Sequence, residues 1–393
     1  MFLPIGDEPN PRGVAWVNWA LIIANVAVFL LVSLPLSGSP ADAADPALRE
    51  YLHWLRTAGA GHVPLSQVSA YDVLVFQHGF RPAAPTLPDA FTSMFLHGGL
   101  LHLAGNMLFL WIYGDNVEAR LGRVTYLVVY LLAGVAGNLT HLLIAGASGA
   151  PLVGASGAIS GVLGFYFLAF PENRVRVLVV LFPVYMDVWR IRAQWVLGSY
   201  FLLDNLLPIA MGMRSTVAYG AHLGGFLAGW LIARWLRGRD DAVPARARQH
   251  LRPPDGAHLP VAAGADAVSH ALARGELARA AHLYLEAFPR GFTRDVRPAD
   301  ALVIADWLAA RGEPRAALAV YARVLRDAGS HDVESRAHLG SGLVLLDAMY
   351  RPTDAWQHLV RARNLAADAA VAGAAEQALA RIALLQKLQF RGR

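Results

Sequence analysis

A serine set among glycines, Gly154-Ala155-Ser156-Gly157-Ala158-Ile159-Ser160-Gly161, opens one apolar run of this chain. A histidine set among glycines, Gly220-Ala221-His222-Leu223-Gly224-Gly225, opens another. Glycine lets a second backbone come close, which a nucleophile needs and which close helix packing also needs. Alone, the serine motif reads as packing. With a histidine at matching depth on a second glycine-rich helix, it reads as chemistry. The imidazole of His222 can take the Ser156 proton and later protonate a leaving amine. An oxyanion formed in that reaction needs donors. His102 and Asn106 are four apart, so they share one helix face. With the Ser156 backbone N–H they could supply those donors. The competing reading of that pair is a hydrogen bond that merely holds two helices together. His97 lies nearer the surface and takes a support role.

These residues need elements to hold them. The 393-residue chain is 55% hydrophobic and 16% charged, against about 25% charged in a soluble domain. It has no cysteine, which excludes disulfides, thiolate nucleophiles and cysteine-bound metals. Its net charge is +5, and the arginines sit at the ends of apolar runs rather than in one block. That pattern fits membrane orientation and not nucleic-acid binding. Six apolar runs have about the 20 residues a helix needs to cross a bilayer: 14–36, 94–113, 124–144, 152–170, 193–213 and 217–236. The first is longer than a signal-peptide core and reads as an uncleaved helix. Arginines concentrate in alternate connections, which predicts an inside N-terminus and a cytoplasmic C-terminus. On that topology Ser156 and His222 both fall a little below the outer surface. The valine-rich stretch 177–184 is too short to span; it lies along the inner interface or forms a small extended piece. Residues 46–58, in the long outer loop, read as an amphipathic helix resting at the headgroups.

Beyond residue 236 the composition changes. Residues 237–260 read as a linker rich in Arg, Asp, Pro and Ala. Residues 261–393 are helical and soluble in pattern, and they repeat. Gly275-Glu276-Leu277-Ala278-Arg279-Ala280-Ala281 returns 37 positions later as Gly312-Glu313-Pro314-Arg315-Ala316-Ala317-Leu318, with a weaker copy at Arg351-Pro352-Thr353-Asp354-Ala355. This is similar to tetratricopeptide-type helical hairpins, with a plain alanine-rich bundle as the alternative. Such arrays bind proteins or peptides in a concave groove, so the tail would take a cytoplasmic partner.

The membrane part resembles the rhomboid family of intramembrane serine proteases. The matching residues are His97-Gly98-Gly99-Leu100-Leu101-His102-Leu103-Ala104-Gly105-Asn106, Gly114-Asp115-Asn116-Val117-Glu118-Ala119-Arg120-Leu121-Gly122, Gly154-Ala155-Ser156-Gly157 and Ala221-His222-Leu223-Gly224-Gly225, in the family's order over about 91–235. The fold implied is all-α: a six-helix membrane domain (1–236), the linker, and a soluble helical-repeat domain (261–393). The resemblance implies a Ser156–His222 dyad, oxyanion stabilisation by His102, Asn106 and the Ser156 amide, and no metal or cofactor. It implies support from His97, Gly154, Gly157, Ser160 and Gly224. Glu118 and Arg120 match a structural cluster at the inner end of the second helix. Substrates would be single-pass or other transmembrane proteins in the bilayer, with the chain in a bacterial inner membrane. The arginine-for-lysine bias points to a GC-rich bacterial genome.

Two departures stand out. Pro88-Asp89 occupies the place of a Trp-Arg pair in some members. Ser160 replaces an aromatic that, in those members, stacks on the histidine, so the orientation of His222 must come from elsewhere. Asp204, beside Asn205 in the fifth run, is a functional candidate by its cost in lipid, either as a third member that orients His222 or as a protonated or hydrogen-bonded residue near the substrate gate; the family reading is a dyad. Two other functions compete: a catalytically silent relative that binds membrane helices, which would be expected to lose Ser156, His222 or the oxyanion donors, and a small transporter, for which no inverted repeat is visible.

Overall fold

The computed structural model describes residues 2–11, 13–59, 63–182, 185–212, 217–240, 264–287 and 295–391. It divides into two compact units, Met1–Ala233 and Arg234–Arg393. Most of the expected linker, from residue 241 on, lies outside the described residues.

The first unit is a helical bundle with a small sheet at one end. A strand β1 (Phe2–Glu8) precedes α1 (Trp16–Ser37). The loop that follows carries α2 (Pro46–Thr57), α3 (Ala70–His78) and α4 (Leu87–Thr92). Then come α5 (Leu100–Leu121), α6 (Arg123–Ala145) and α7 (Ser156–Ala169). Strands β2 (Arg174–Leu181) and β3 (Tyr185–Arg192) lead into α8 (193–210), and α9 (Tyr219–Asp240) follows.

The three strands form an antiparallel sheet in the order β1-β2-β3. This corrects the all-α expectation. The stretch from 177 is the middle strand, paired on one side with residues some 170 positions earlier in the chain (Phe2 opposite Val179). Alternation explains its place: Val175, Val177 and Val179 are buried while the residues between them are not.

The second membrane run is displaced from the expected 94–113. Its helix begins at Leu100 and continues to Leu121, past the end of the apolar residues. The polar residues there are satisfied inside the protein. Buried Glu118 accepts from the Val17 and Asn18 N–H groups at 3.2 and 2.7 Å, so its carboxylate caps the otherwise unpaired start of α1. Tyr126 donates to Asn18 Oδ1 at 2.7 Å. Asn116 donates to Asp7 Oδ2 at 2.9 Å, and Tyr166 donates to the same oxygen. Burial, together with the Asp115 carboxylate, pushes Asp7 well above the usual carboxylate range.

Trp16–Ser37 and Arg123–Ala145 are long and apolar enough to cross a membrane by themselves, and Leu87–Phe95 with Leu100–Leu121, bent by 92°, make a third if the pair is one span. The other helices are shorter, or carry glycines and polar residues that face neighbouring helices.

Glycine sets the closest contacts. A Cβ on Gly225 or Gly229 of α9 would strike the Gly157 or Gly161 carbonyl of α7. On α9, Gly224 instead faces Thr140 and the Ala136 carbonyl of α6. The two small-residue seams of α9 therefore hold two different partners. Such contact between backbones requires the absence of side chains.

The second unit contains α10 (Gly264–Ala273), α11 (Leu277–Ala287), α12 (Pro298–Ala310), α13 (Pro314–Asp327), α14 (His331–Leu343), α15 (Pro352–Leu365) and α16 (Ala369–Arg391). Tyr284, Leu285, Ile304, Leu308, Val320 and Tyr321 fill one core; Leu359, Ile382 and Ala355 belong to a second. The sequence repeat has a structural counterpart in the turns. Gly275 and Gly312 sit two residues before α11 and α13 with φ of +75° and +77°. At the same place before α15 stands Tyr350, with φ of +54°. A side chain in this region costs about 1 kcal/mol or more. Tyr350 is also 72% exposed, so little packing is lost with its ring. Tyr350→Gly is therefore expected to stabilise the second unit by about 1 kcal/mol, measured as a rise in its denaturant midpoint with an unchanged slope.

Candidate active site

Ser156 is the first residue of α7, with Ala155 before it at the cap position. At a helix start the backbone N–H groups have no partner within the helix and point outward. Ser156 therefore offers a hydroxyl and an unpaired amide from one residue. The approach to it is held in place by Gly154, whose N–H donates to the Ser93 carbonyl at 2.8 Å and whose φ is +124°. A bridge between Phe80 and Leu152 ties the same loop to the end of α3.

His222 lies in the first turn of α9, 66 positions from the serine. Its Nε2 stands 2.9 Å from Ser156 Oγ. Its Nδ1 stands 2.7 Å from Asn205 Oδ1 on α8. Both contacts are within hydrogen-bond range.

The expected oxyanion residues come to the same place. A Cβ built on Gly154 would lie 2.7 Å from His102 Nε2 and 3.6 Å from Asn106 Nδ2. Both side chains therefore project from α5 across the strand of chain just before Ser156. Asn106 Nδ2 is buried and has no hydrogen-bond partner among the described residues. A buried donor with nothing to donate to is costly, and it is suited to a charge that appears only during reaction. His102 is exposed, and its Nδ1 accepts from the Gly98 N–H at 3.4 Å.

His97, expected near the surface, is instead fully buried. Its backbone N–H donates to the Tyr71 hydroxyl at 3.0 Å, and that hydroxyl donates to the His97 carbonyl at 2.8 Å. The His97 ring meets the His102 ring edge-on at 5.2 Å between centroids. It thus backs His102 from behind. Tyr71, on α3, had no distinguishing signal in the sequence. Gly157 and Gly224 serve the helix seams described above. Ser160 is buried one turn into α7 and offers no ring to the imidazole.

Asp204 does not join the site. It is exposed, whereas the adjacent Asn205 is 1% exposed and reaches His222. Leu197, Phe201, Asn205 and Pro208 recur at helical spacing and form the inward stripe of α8, and Asp204 lies off it. Among the described residues, no three His, Asp or Glu side chains gather as metal ligands do.

Residues 86–239, which span most of this site, match the family model of the Rhomboid domain. Through this segment, less than half of the chain, the protein is similar to the rhomboid family. RHOMBOID-like protein 1 of Arabidopsis thaliana is 28% identical over 230 residues, covering 55% of this chain and 53% of the relative. Rhomboid protein 1, mitochondrial, of Saccharomyces cerevisiae is 34% identical over 150 residues, 36% of this chain and 41% of the relative. Rhomboid protease GluP of Bacillus subtilis is 30% identical over 143 residues, 36% of this chain and 24% of the relative. The chain spans about half, or less, of the length of these relatives. The match to the Rhomboid domain stops at 239, so the helical second unit falls beyond it. The rhomboid domain is an integral membrane domain, in keeping with the apolar spans of α1 and α6.

Proposed function

We propose that this chain is an intramembrane serine endopeptidase with Ser156 as nucleophile and His222 as general base. The observation that carries this reading is the 2.9 Å separation of Ser156 Oγ and His222 Nε2. As Oγ attacks a peptide carbonyl carbon, His222 Nε2 takes its proton. The carbonyl oxygen becomes an oxyanion beside the Ser156 N–H, Asn106 Nδ2 and His102. The imidazolium then protonates the departing amine, and the acyl group stays on Ser156. Water, deprotonated by His222, releases it.

Helix length supports a buried site. The 14 residues of α7 span about 21 Å, short of the roughly 30 Å of hydrocarbon in a bilayer. A helix this short, reaching the inner boundary at its C-terminal end, starts well beneath the outer one. Six helices (α1, α5, α6, α7, α8, α9) then cross the membrane, with both termini in the cytoplasm of a bacterial cell. Substrates are transmembrane proteins cut near the outer ends of their spans. The second unit, read as tetratricopeptide-like, takes a cytoplasmic protein or peptide.

The test is covalent labelling. A fluorophosphonate probe should label the full chain in lipid at Ser156, the label should disappear in Ser156→Ala, and it should fall at least tenfold in His222→Ala. The same preparation should cleave a reporter carrying a transmembrane helix. Equal labelling of wild type and Ser156→Ala would reject the proposal.

A further inference from the structure

We propose that Asn205 is a positioning residue that holds His222 in the one tautomer able to take the Ser156 proton; the catalytic part of this inference rests on the serine-protease reading above. The assignment follows from which groups can donate and which can only accept. Asn205 Nδ2 donates to the Tyr200 carbonyl at 3.1 Å, and a carbonyl oxygen only accepts. The amino end of the amide is therefore committed, and the end facing His222 is Oδ1. An amide oxygen also only accepts, so the 2.7 Å contact requires a hydrogen on His222 Nδ1. A neutral imidazole carries one N–H. Nε2 is then left with its lone pair toward Ser156, and the hydroxyl must donate across the 2.9 Å contact. One backbone carbonyl on α8 thus sets the direction of every hydrogen in the chain Tyr200–Asn205–His222–Ser156.

The helix is built to present this one side chain. Leu202–Leu206 is a π-helical turn, wider than the α-helix on either side. Within and just after it Leu202, Leu203, Asp204, Leu206 and Leu207 are exposed, and Asn205 alone is buried. Such turns recur at functional sites because the extra residue changes which side chain faces inward. A buried amide in an apolar helix is costly unless paired, and both ends of this one are paired.

No aromatic ring stacks on His222 among the described residues, and Ser160 occupies the position one turn below the serine. The imidazole is thus located by its two hydrogen bonds. Without the Asn205 oxygen, the hydrogen can move to Nε2 or the ring can turn over, and either change removes the acceptor that Ser156 needs. The same oxygen also acts later. When His222 becomes imidazolium, its Nδ1–H bond to Oδ1 is charge-assisted and strengthens. The contact then favours the transition state over the ground state. A neutral amide does this without placing a second full charge inside the membrane.

The test uses the full chain in lipid nanodiscs, with Asn205→Leu and Asn205→Asp compared with wild type. Leucine has similar volume and no acceptor; aspartate restores an acceptor. For Asn205→Leu we expect kcat to fall about 10–100-fold, with KM changed less than about twofold. Asn205→Asp should recover most of the loss. Nitrogen-15 spectra of labelled histidine, with the His222 signals assigned by difference from His222→Ala, should show hydrogen on Nδ1 in the wild type. Asn205→Leu should show a mixture of tautomers. An unchanged kcat in Asn205→Leu would overturn the inference. A folded Asn205→Asp as slow as Asn205→Leu would also overturn it, as would hydrogen on Nε2 in the wild type. If the tautomers behave as expected and even wild type cleaves nothing, the proteolytic reading falls and the positioning role of Asn205 stands.

Discussion

Ser156→Ala and His222→Ala are each expected to lower turnover of a transmembrane reporter by about 10⁴–10⁶-fold, equivalent to about 5–8 kcal/mol of barrier. The two side chains act through one proton, passed across the 2.9 Å contact. Removing the hydroxyl leaves the base nothing to activate, and removing the base leaves a hydroxyl that is too weak a nucleophile at neutral pH. The double variant should therefore be no slower than the slower single one. Groups that act as a unit are strongly non-additive. Single-turnover cleavage in proteoliposomes checks this. Losses that multiply would show that serine and histidine act independently, against the proposed dyad.

Gly154→Ala should also cost a large part of the activity, with no reacting group removed. At φ of +124° a methyl group strains the backbone, by about 1–3 kcal/mol. It would also lie 2.7 Å from His102 Nε2 and 2.8 Å from Cε1, inside van der Waals contact. The histidine, the loop or both must move, and the donors then miss the place where the oxyanion forms. Loss of one such donor typically costs about 10²–10³ in kcat, so Gly154→Ala should lose at least that much while the chain still folds. Gly105→Ala is the control. It lies on the same α5 between His102 and Asn106, and no heavy atom comes within 4 Å of its added methyl. It should keep kcat within about threefold. Full activity in Gly154→Ala would mean that His102 and Asn106 do not form the oxyanion site.

Parts of this architecture could be read from one dimension. Apolar runs near 20 residues marked α1 and α6 almost to their ends, because a helix in lipid must be apolar along its whole length. The second run was misjudged by six to eight residues. Glu118 and Asn116 look like an end to an apolar helix, yet they are paired with the start of α1 and with Asp7. Hydropathy counts a buried, paired carboxylate as if it were solvated. Of the sheet, only the stretch 177–184 was legible, as one of two readings, and its partner strand at the start of the chain was not, for a related reason. β1 contains Pro4 and Gly6, poor strand formers, and becomes a strand through its pairing with β2.

Residue types and spacing were enough to mark a glycine-flanked serine, a glycine-flanked histidine and a His–Asn face, since these are local features of the chain. They could not state which helix faces meet. That depends on the glycine seams, where Gly225 and Gly229 admit α7 and Gly224 admits α6, and so bring residues 66 positions apart to 2.9 Å. The choice between Asp204 and Asn205 lay equally beyond composition. Both are polar residues in an apolar run, and the more acidic one looked the better partner for a histidine. Helix phase through the π-helical turn sends the carboxylate outward and the amide inward. Contacts of this kind come from rotation about a helix axis and from the approach of distant segments, and neither is encoded in the identity of any single residue.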